Sequence, residues 1–452
     1  MNAVPMAEKW NNRALFSLLW PLIIEQILAV TMGAVDTIMV SSVGEHAVSA
    51  VNIIDNINNL LIIAFTAMCT GGAVVVSQYI GRRDYNNSSN SARQLVYIVI
   101  LISLGITAIA VILRRPIIRL IYGKIADDVM SAASVYFLIT SLSYPFLALY
   151  NANAALFRAV GNSRVTMRVS IVVNIMNIGG NVLLIYGLGM GVMGAAISTL
   201  CSRITAALIT SAMLMRNSAS PVSLFGLFKI RFSRPQIRSI LNVGLPSGME
   251  NSMFQIGRLL TQRIFTQFGT AAMAGNAIAS VVNSFSFMPG MAFGMSLLTI
   301  VGQCIGAGDF EEAKKQTKKI MCMAYITLFI ISTVIYILME PMIALFHLSP
   351  EAHALAKSFL RIHCISMALG WAASFALPNA LRAAGDVRFV MLTATISMWT
   401  VRVSAAYLLT FALGVGPLGV WLAMGADFLV RGVSYSLRWI GGKWKNKKVI
   451  SD

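Results

Sequence analysis

The stretch Ser77-Gln78-Tyr79-Ile80-Gly81-Arg82-Arg83-Asp84-Tyr85 returns 225 positions later as Gly302-Gln303-Cys304-Ile305-Gly306-Ala307-Gly308-Asp309-Phe310. Three further pairs keep that spacing to within one residue. Phe157-Arg158-Ala159-Val160-Gly161-Asn162 returns as Leu381-Arg382-Ala383-Ala384-Gly385-Asp386, and Leu188-Gly189-Met190-Gly191-Val192-Met193-Gly194 returns as Leu413-Gly414-Val415-Gly416-Pro417-Leu418-Gly419. Pro21 with Glu25 returns as Pro246 with Glu250. A constant offset means a duplicated unit of half the chain, and repeats of this size are a signature of membrane transporters. Two similar halves supply two bodies that can rock against each other around a shared cavity.

Composition sets the solvent. Of the 452 residues, 57% are hydrophobic and only 12% charged, where soluble domains carry about 25%. The chain is therefore expected in a bilayer. Apolar stretches of about 20 residues read as spans near 15–40, 47–79, 93–113, 130–157, 166–187 and 191–214, then near 238–267, 272–304, 318–339, 354–381, 388–412 and 418–440. The expected fold is an all-α integral membrane protein with about twelve transmembrane helices in two pseudo-symmetric six-helix lobes. Residues 1–214 form the N-lobe, 215–237 a cytoplasmic linker, and 238–452 the C-lobe with a basic tail. An even number of spans per repeat leaves both halves in one orientation. The first apolar stretch is too long for a signal-peptide core and is expected to remain as span one. Spans two and eight exceed an upright crossing, with Gly71-Gly72, Pro289-Gly290 and Gly294 as expected bends.

The net charge of +18 suggests nucleic acid only until its location is read. Arg82, Arg83, Arg93, Arg158, Arg164 and Arg168 cluster after spans two and four; Arg216, Lys229, Arg231, Arg234 and Arg238 lie around the linker. Lys314, Lys315, Lys318 and Lys319 follow span eight, and Lys443, Lys445, Lys447 and Lys448 form the tail, while connections after spans one, five, seven and eleven have no Lys or Arg. The positive-inside rule puts both termini and the linker in the cytoplasm of a multi-pass cell-membrane protein. Arg114, Arg115, Arg119 and Lys124 oppose the rule on the expected outer side and are outvoted. The basic excess is topological, meeting anionic lipid headgroups and no nucleic acid. Cys69, Cys201, Cys304, Cys322 and Cys364 are scattered and odd in number, which fits neither a disulfide framework nor a zinc site.

Ionisable side chains within spans are costly and are functional suspects. Asp36, six residues before Ser42, lies roughly 9 Å inside the outer boundary, and Asp55 roughly 12 Å below it on span two. Asn174, Asn177 and Asn181 have i, i+3, i+7 spacing and share one face of span five. Three helices thus bring polar groups to one depth, where carboxylates supply charge and amide oxygens neutral ligands for a proton or sodium ion. Glu25 can extend the stripe deeper. The competing reading is a buried hydrogen-bond network that only holds helices together. The second half is not a copy here: Thr261 stands opposite Asp36 and Arg402 opposite Asn177. Glu250 either pairs with an arginine or contacts a cation, and Asp427 with Arg431 has the i, i+4 spacing of a local ion pair. His46, His347, His353 and His363 are placed in or near outer connections.

Taken together, these features resemble the multidrug and toxic compound extrusion (MATE) family over nearly the whole chain. Pro21 followed by Gly33-Ala34-Val35-Asp36-Thr37-Ile38-Met39-Val40 is similar to the family's first-helix segment, and Gln78-Tyr79-Ile80-Gly81, Gln303-Cys304-Ile305-Gly306 and the Arg-Ala-x-Gly pair resemble its cytoplasmic junctions. The resemblance implies two six-helix lobes and export of organic cations or amphipathic drugs in exchange for H⁺ or Na⁺. It also implies that Asp36 binds the coupling cation, as a proton site or sodium ligand, with Asn177 and Asn181 beside it. Where many members carry a span-seven glutamate this chain has Phe254, with Glu250 one turn earlier.

The expectation is a monomeric antiporter working by alternating access, with no cofactor beyond the coupling ion. The alternative is a flippase for a lipid-linked precursor, kept open by Arg203, Arg258, Arg263 and Arg402. A membrane enzyme is disfavoured because no Ser-His-Asp set, HExxH or phosphate-cradling glycine loop occurs.

Overall fold

A computed structural model describes residues 9–123, 126–216 and 220–450, and every regular element within them is helical. Long apolar runs leave the backbone only its own helix to hydrogen-bond in lipid. The first half holds α1 (Asn12–Ser41), α2 (Glu45–Arg82), α3 (Tyr85–Ile112), the short α4 (Arg114–Tyr122), α5 (Asp127–Leu142), α6 (Tyr144–Val160), α7 (Ser163–Asn181, widened into a π turn over Val182–Gly187) and α8 (Gly191–Arg216). The second half holds α9 (Arg234–Phe265), α10 (Gly269–Ser286), α11 (Met288–Gly306), α12 (Phe310–Ala344), α13 (Pro350–Ser366), α14 (Leu377–Ala383), α15 (Val387–Ser397), α16 (Ser404–Tyr407) and α17 (Leu418–Ile440). π turns fill Met367–Ala376, Met398–Val403 and Leu408–Ala412.

These helices follow the expected spans. Among the described residues, nine helical runs are long and apolar enough to cross a membrane, and α5 with α6, bent by 45°, make a tenth. One run, Arg234–Gly306, is 73 residues long and contains both span seven and span eight. α17, the twelfth, falls outside that set and carries Asp427, Arg431 and Arg438.

Two compact units result. One is Phe16–Gly248; the other is Met249 onward with the described residues that precede Phe16. In the first, α2 packs on α3, α5 and α6, and α8 packs on α6 and α7. In the second, α10 packs on α13, α11 on α12 and α14, and α17 on the Met367–Ala376 turn. Gln316 of α12 donates to the Trp10 carbonyl (3.0 Å), joining the start of the chain to that unit.

The repeated motifs are turns. Asp84 caps α3 by accepting the Asn87 amide, and Asp309 caps α12 by accepting that of Glu312, each at 3.0 Å. The residue before each cap is left-handed, Arg83 at φ 64° and Gly308 at φ 76°. The Arg-Ala-x-Gly pair ends α6 and α14, with Gly161 at φ 91° and Gly385 at φ 87°. Sequence offset and backbone geometry therefore report the same duplication.

Several expectations change. α2 runs unbroken through Gly71-Gly72. A Cβ on Gly71 would strike the backbone of Ile240 and Gly244, and one on Gly72 would strike Leu95; the pair admits close neighbours within a continuous helix. The break expected near Pro289-Gly290 falls at Phe287. Arg114, Arg115 and Arg119 belong to α4, which buries Ile118 and exposes Leu120. That is an amphipathic surface segment, so its charge says little about sidedness; Lys124 lies outside the described residues. The linker is ordered against α3. Tyr97 donates to the Leu227 carbonyl (2.6 Å) and Gln94 to that of Arg231 (2.7 Å), with Val222 and Leu224 buried. His363 is buried inside α13, 2.9 Å from the Ser286 hydroxyl, rather than near an outer connection.

Candidate functional site

Asp36 stands on α1, five residues from its end. The Asn181 amide, at the last α-helical position of α7, donates to its carboxylate at 2.6 Å. Asn181 and Asn177 are fully buried. Asn181 also reaches the Asn177 carbonyl oxygen (3.5 Å), and the Asn177 amide reaches Thr199 on α8 (3.4 Å). Ser198 bonds the Asn177 backbone carbonyl (2.8 Å) and would clash with a Cβ on Gly180, so α7 and α8 are held close at this depth. The side-chain oxygen of Asn181 is buried with no hydrogen-bond partner. Asn174 turns back to the Ser170 carbonyl (2.8 Å) and takes no part.

Asp55 lies in a second, adjoining network. It accepts from Asn58 (3.3 Å) and Tyr136 (3.5 Å), while Tyr144 donates to the Asn58 oxygen (2.6 Å). Arg203 bonds Ser143 (2.6 Å), and its charge acts on both Asp55 and Asp36. Neither carboxylate forms an ion pair among the described residues.

The other membrane acids are matched to arginines. Glu25 meets Arg158 at 2.8 Å and accepts from Thr166 at 2.7 Å. Glu250 takes two bonds from Arg382, at 2.7 and 2.8 Å, and Arg382 also reaches Asn379 (2.9 Å). These are one pair repeated, joining the Pro-x-x-x-Glu of each half to its Arg-Ala-x-Gly. Both glutamates are thus ion-paired, which sets Glu25 and Glu250 apart from Asp36 and Asp55. Asp427 accepts from Ser397 (2.6 Å) and lies 3.5 Å from Arg431 and 3.9 Å from Arg402.

Sequence reasoning singled out Asp36, Asp55, Asn177 and Asn181, and the fold gathers them in one unit. It missed Asn58, although it stands three residues from Asp55, and Tyr136, Tyr144 and Thr199, whose partners lie on other helices. It also missed the partners Arg158 and Arg382, although their offset equals that of the two glutamates to within one residue.

A twice-repeated helical membrane chain with polar clusters inside each half has the architecture of a secondary transporter. The MatE family model matches it twice, over residues 21–183 and 246–408, with the same step as the motifs. The chain belongs to this family, the multidrug and toxic compound extrusion transporters. It is 30% identical over 439 residues to YisQ, an uncharacterized transporter of Bacillus subtilis, covering 96% of this chain and 95% of that one. It is 26% identical to a probable multidrug resistance protein NorM of Thermotoga maritima, covering 97% and 94%. A crystal structure of MATE in the bent conformation superposes with a TM-score of 0.87 at 19% identity, covering 95% of each chain.

Proposed function

We propose that this protein is a multidrug efflux antiporter of the cytoplasmic membrane, exporting cationic or amphipathic compounds in exchange for H⁺ or Na⁺ by alternating access. The observation that carries the reading is Asp36: a half-buried carboxylate with an amide donor at 2.6 Å and no arginine bonded to it. Such a group cannot cheaply stay charged and unpaired as water leaves. It takes a proton, a sodium ion or a cationic substrate, and mutual exclusion among these gives exchange. The unpartnered Asn181 oxygen suits a cation, since it offers a neutral ligand next to a charged one. Asp55, with Asn58 and Tyr136, adds negative potential one helix away. The basic linker and tail support cytoplasmic termini, and the non-helical stretch at 220–233 supports a division into two lobes.

The test is efflux of a fluorescent cation from proteoliposomes under separately imposed proton and sodium gradients. Wild type should respond to at least one gradient, and Asp36→Asn to neither, with the protein still folded. Full gradient-driven efflux by Asp36→Asn would defeat the reading. A parallel arm with a lipid-linked substrate distinguishes a flippase.

A further inference from the structure

Arg402 occupies the place that the repeat gives to Asn177 in the first half. Where one half sets an amide beside a carboxylate, the other sets a guanidinium, on the π turn Met398–Val403. Its neighbours are Asp427 and Arg431 of α17. Arg402, Asp427 and Arg431 are 8%, 0% and 2% exposed. Two guanidiniums against one carboxylate leave one positive charge uncompensated, and Arg258 of α9 adds its field at Arg402. Asp427 does little to satisfy them. Its best bond is to Ser397, and the nearest guanidinium nitrogens stand at 3.5 and 3.9 Å, beyond a good charge-assisted bond. The Nε of Arg402 and both Nε and an Nη of Arg431 are buried without a hydrogen bond, as is Asp427 Oδ2, one acceptor against three such donors. Buried donors of that kind are rare in native proteins and point to a missing partner.

The surroundings limit what that partner is. Phe375 lies 4.6 Å and Phe254 5.5 Å from the Arg431 guanidinium carbon, and Phe254 lies 5.3 Å from that of Arg402. Both rings keep partial exposure, and Phe375 stacks on Trp371 at 5.1 Å. Cation–π contact stabilises the guanidinium faces and leaves their edges, where N–H groups point, without acceptors.

We propose that the second unit carries an oxyanion site, in which Arg402 and Arg431 bind the carboxylate or phosphate group of an amphiphile whose apolar ring lies against Phe254 and Phe375. An oxyanion supplies both the missing charge and the missing acceptors. The two halves then select opposite signs at repeat-related positions, which extends the substrate range to anionic and zwitterionic amphiphiles. The assignment does not depend on ion coupling at Asp36.

Binding to the purified full chain in lipid nanodiscs tests it, read by calorimetry with 1-naphthoate, uncharged 1-naphthylmethanol and cationic 1-naphthylmethylammonium. Naphthoate should bind at least tenfold more tightly than the alcohol, and Arg402→Gln should remove that advantage. Asp427→Asn, which deletes the competing carboxylate, should tighten naphthoate several-fold; it decides the matter if Arg402→Gln fails to fold. Asp36→Asn should leave naphthoate binding unchanged, so failure here is distinct from failure of the antiport reading. Displacement of naphthoate by dihexanoyl phosphatidylglycerol assigns the site to a lipid headgroup, and resistance to it assigns the site to substrate. Equal affinity for naphthoate and the alcohol, or naphthoate binding that is weakened by Asp427→Asn, overturns the proposal.

Discussion

At the scale of single residues, the acids divide by whether an arginine answers them. Asp36 and Asp55 are open and amide-bonded, whereas Glu25 and Glu250 are tied. Losing one member of a buried pair leaves the other charge stranded, at a cost of about 3–5 kcal/mol. Arg382→Met should therefore lower the thermal unfolding midpoint in detergent markedly, and adding Glu250→Gln should restore much of it. No recovery in the double variant would refute the assigned pairing. At the open site, Asn181→Ala removes the donor to Asp36 but keeps the carboxylate. Efflux under a gradient should fall several-fold without the complete loss expected of Asp36→Asn. Asp36 was legible because a carboxylate inside a span is conspicuous, and Asn177 with Asn181 because i, i+4 amides share a face. Tyr136 and Tyr144 were not, since their partners lie 81 and 86 residues away.

Among elements, the turns decide most. Gly308 and Gly385 both need positive φ, which costs a residue with a Cβ about 1 kcal/mol or more. Nothing lies near a Cβ on Gly308, but one on Gly385 would meet Val449 at 2.6 Å. Gly308→Ala should destabilise by about 1 kcal/mol and Gly385→Ala by more, read as midpoint shifts of the two variants. Equal shifts would show that the Val449 contact yields freely. Helix existence and order were legible from hydropathy. The role of Gly71-Gly72 was not, because a glycine signals a bend or a close approach alike until its neighbour is known. α4 escaped the span pattern because it is short and amphipathic, and its arginines then distorted the charge count. The π turns follow from no local propensity; one directly follows Asn181 and another contains Arg402, and such widened turns often accompany function.

Over the whole molecule, duplication fixed the architecture and divergence fixed the chemistry. The turns and Glu–Arg ties survive in both halves, while Asp36 has become Thr261 and Asn177 has become Arg402. The offset was therefore a faithful guide to scaffold and a poor one to binding groups. Sidedness is testable at this scale. Once the exposed Cys201 and Cys322 are replaced, Lys229→Cys in the linker should react with a membrane-impermeant maleimide only after permeabilisation. His46→Cys, at the start of α2, should react in intact cells. The reverse pattern would invert the proposed orientation.

The twin Glu–Arg ties also bear on how the chain is made. Glu25 leaves the ribosome 133 residues before Arg158, and Glu250 precedes Arg382 by 132. At roughly 5–20 residues per second of synthesis, each glutamate waits on the order of ten seconds for its counter-charge. Over that interval it lacks that counter-charge within its own half, so each half can lock only after its fourth span has emerged.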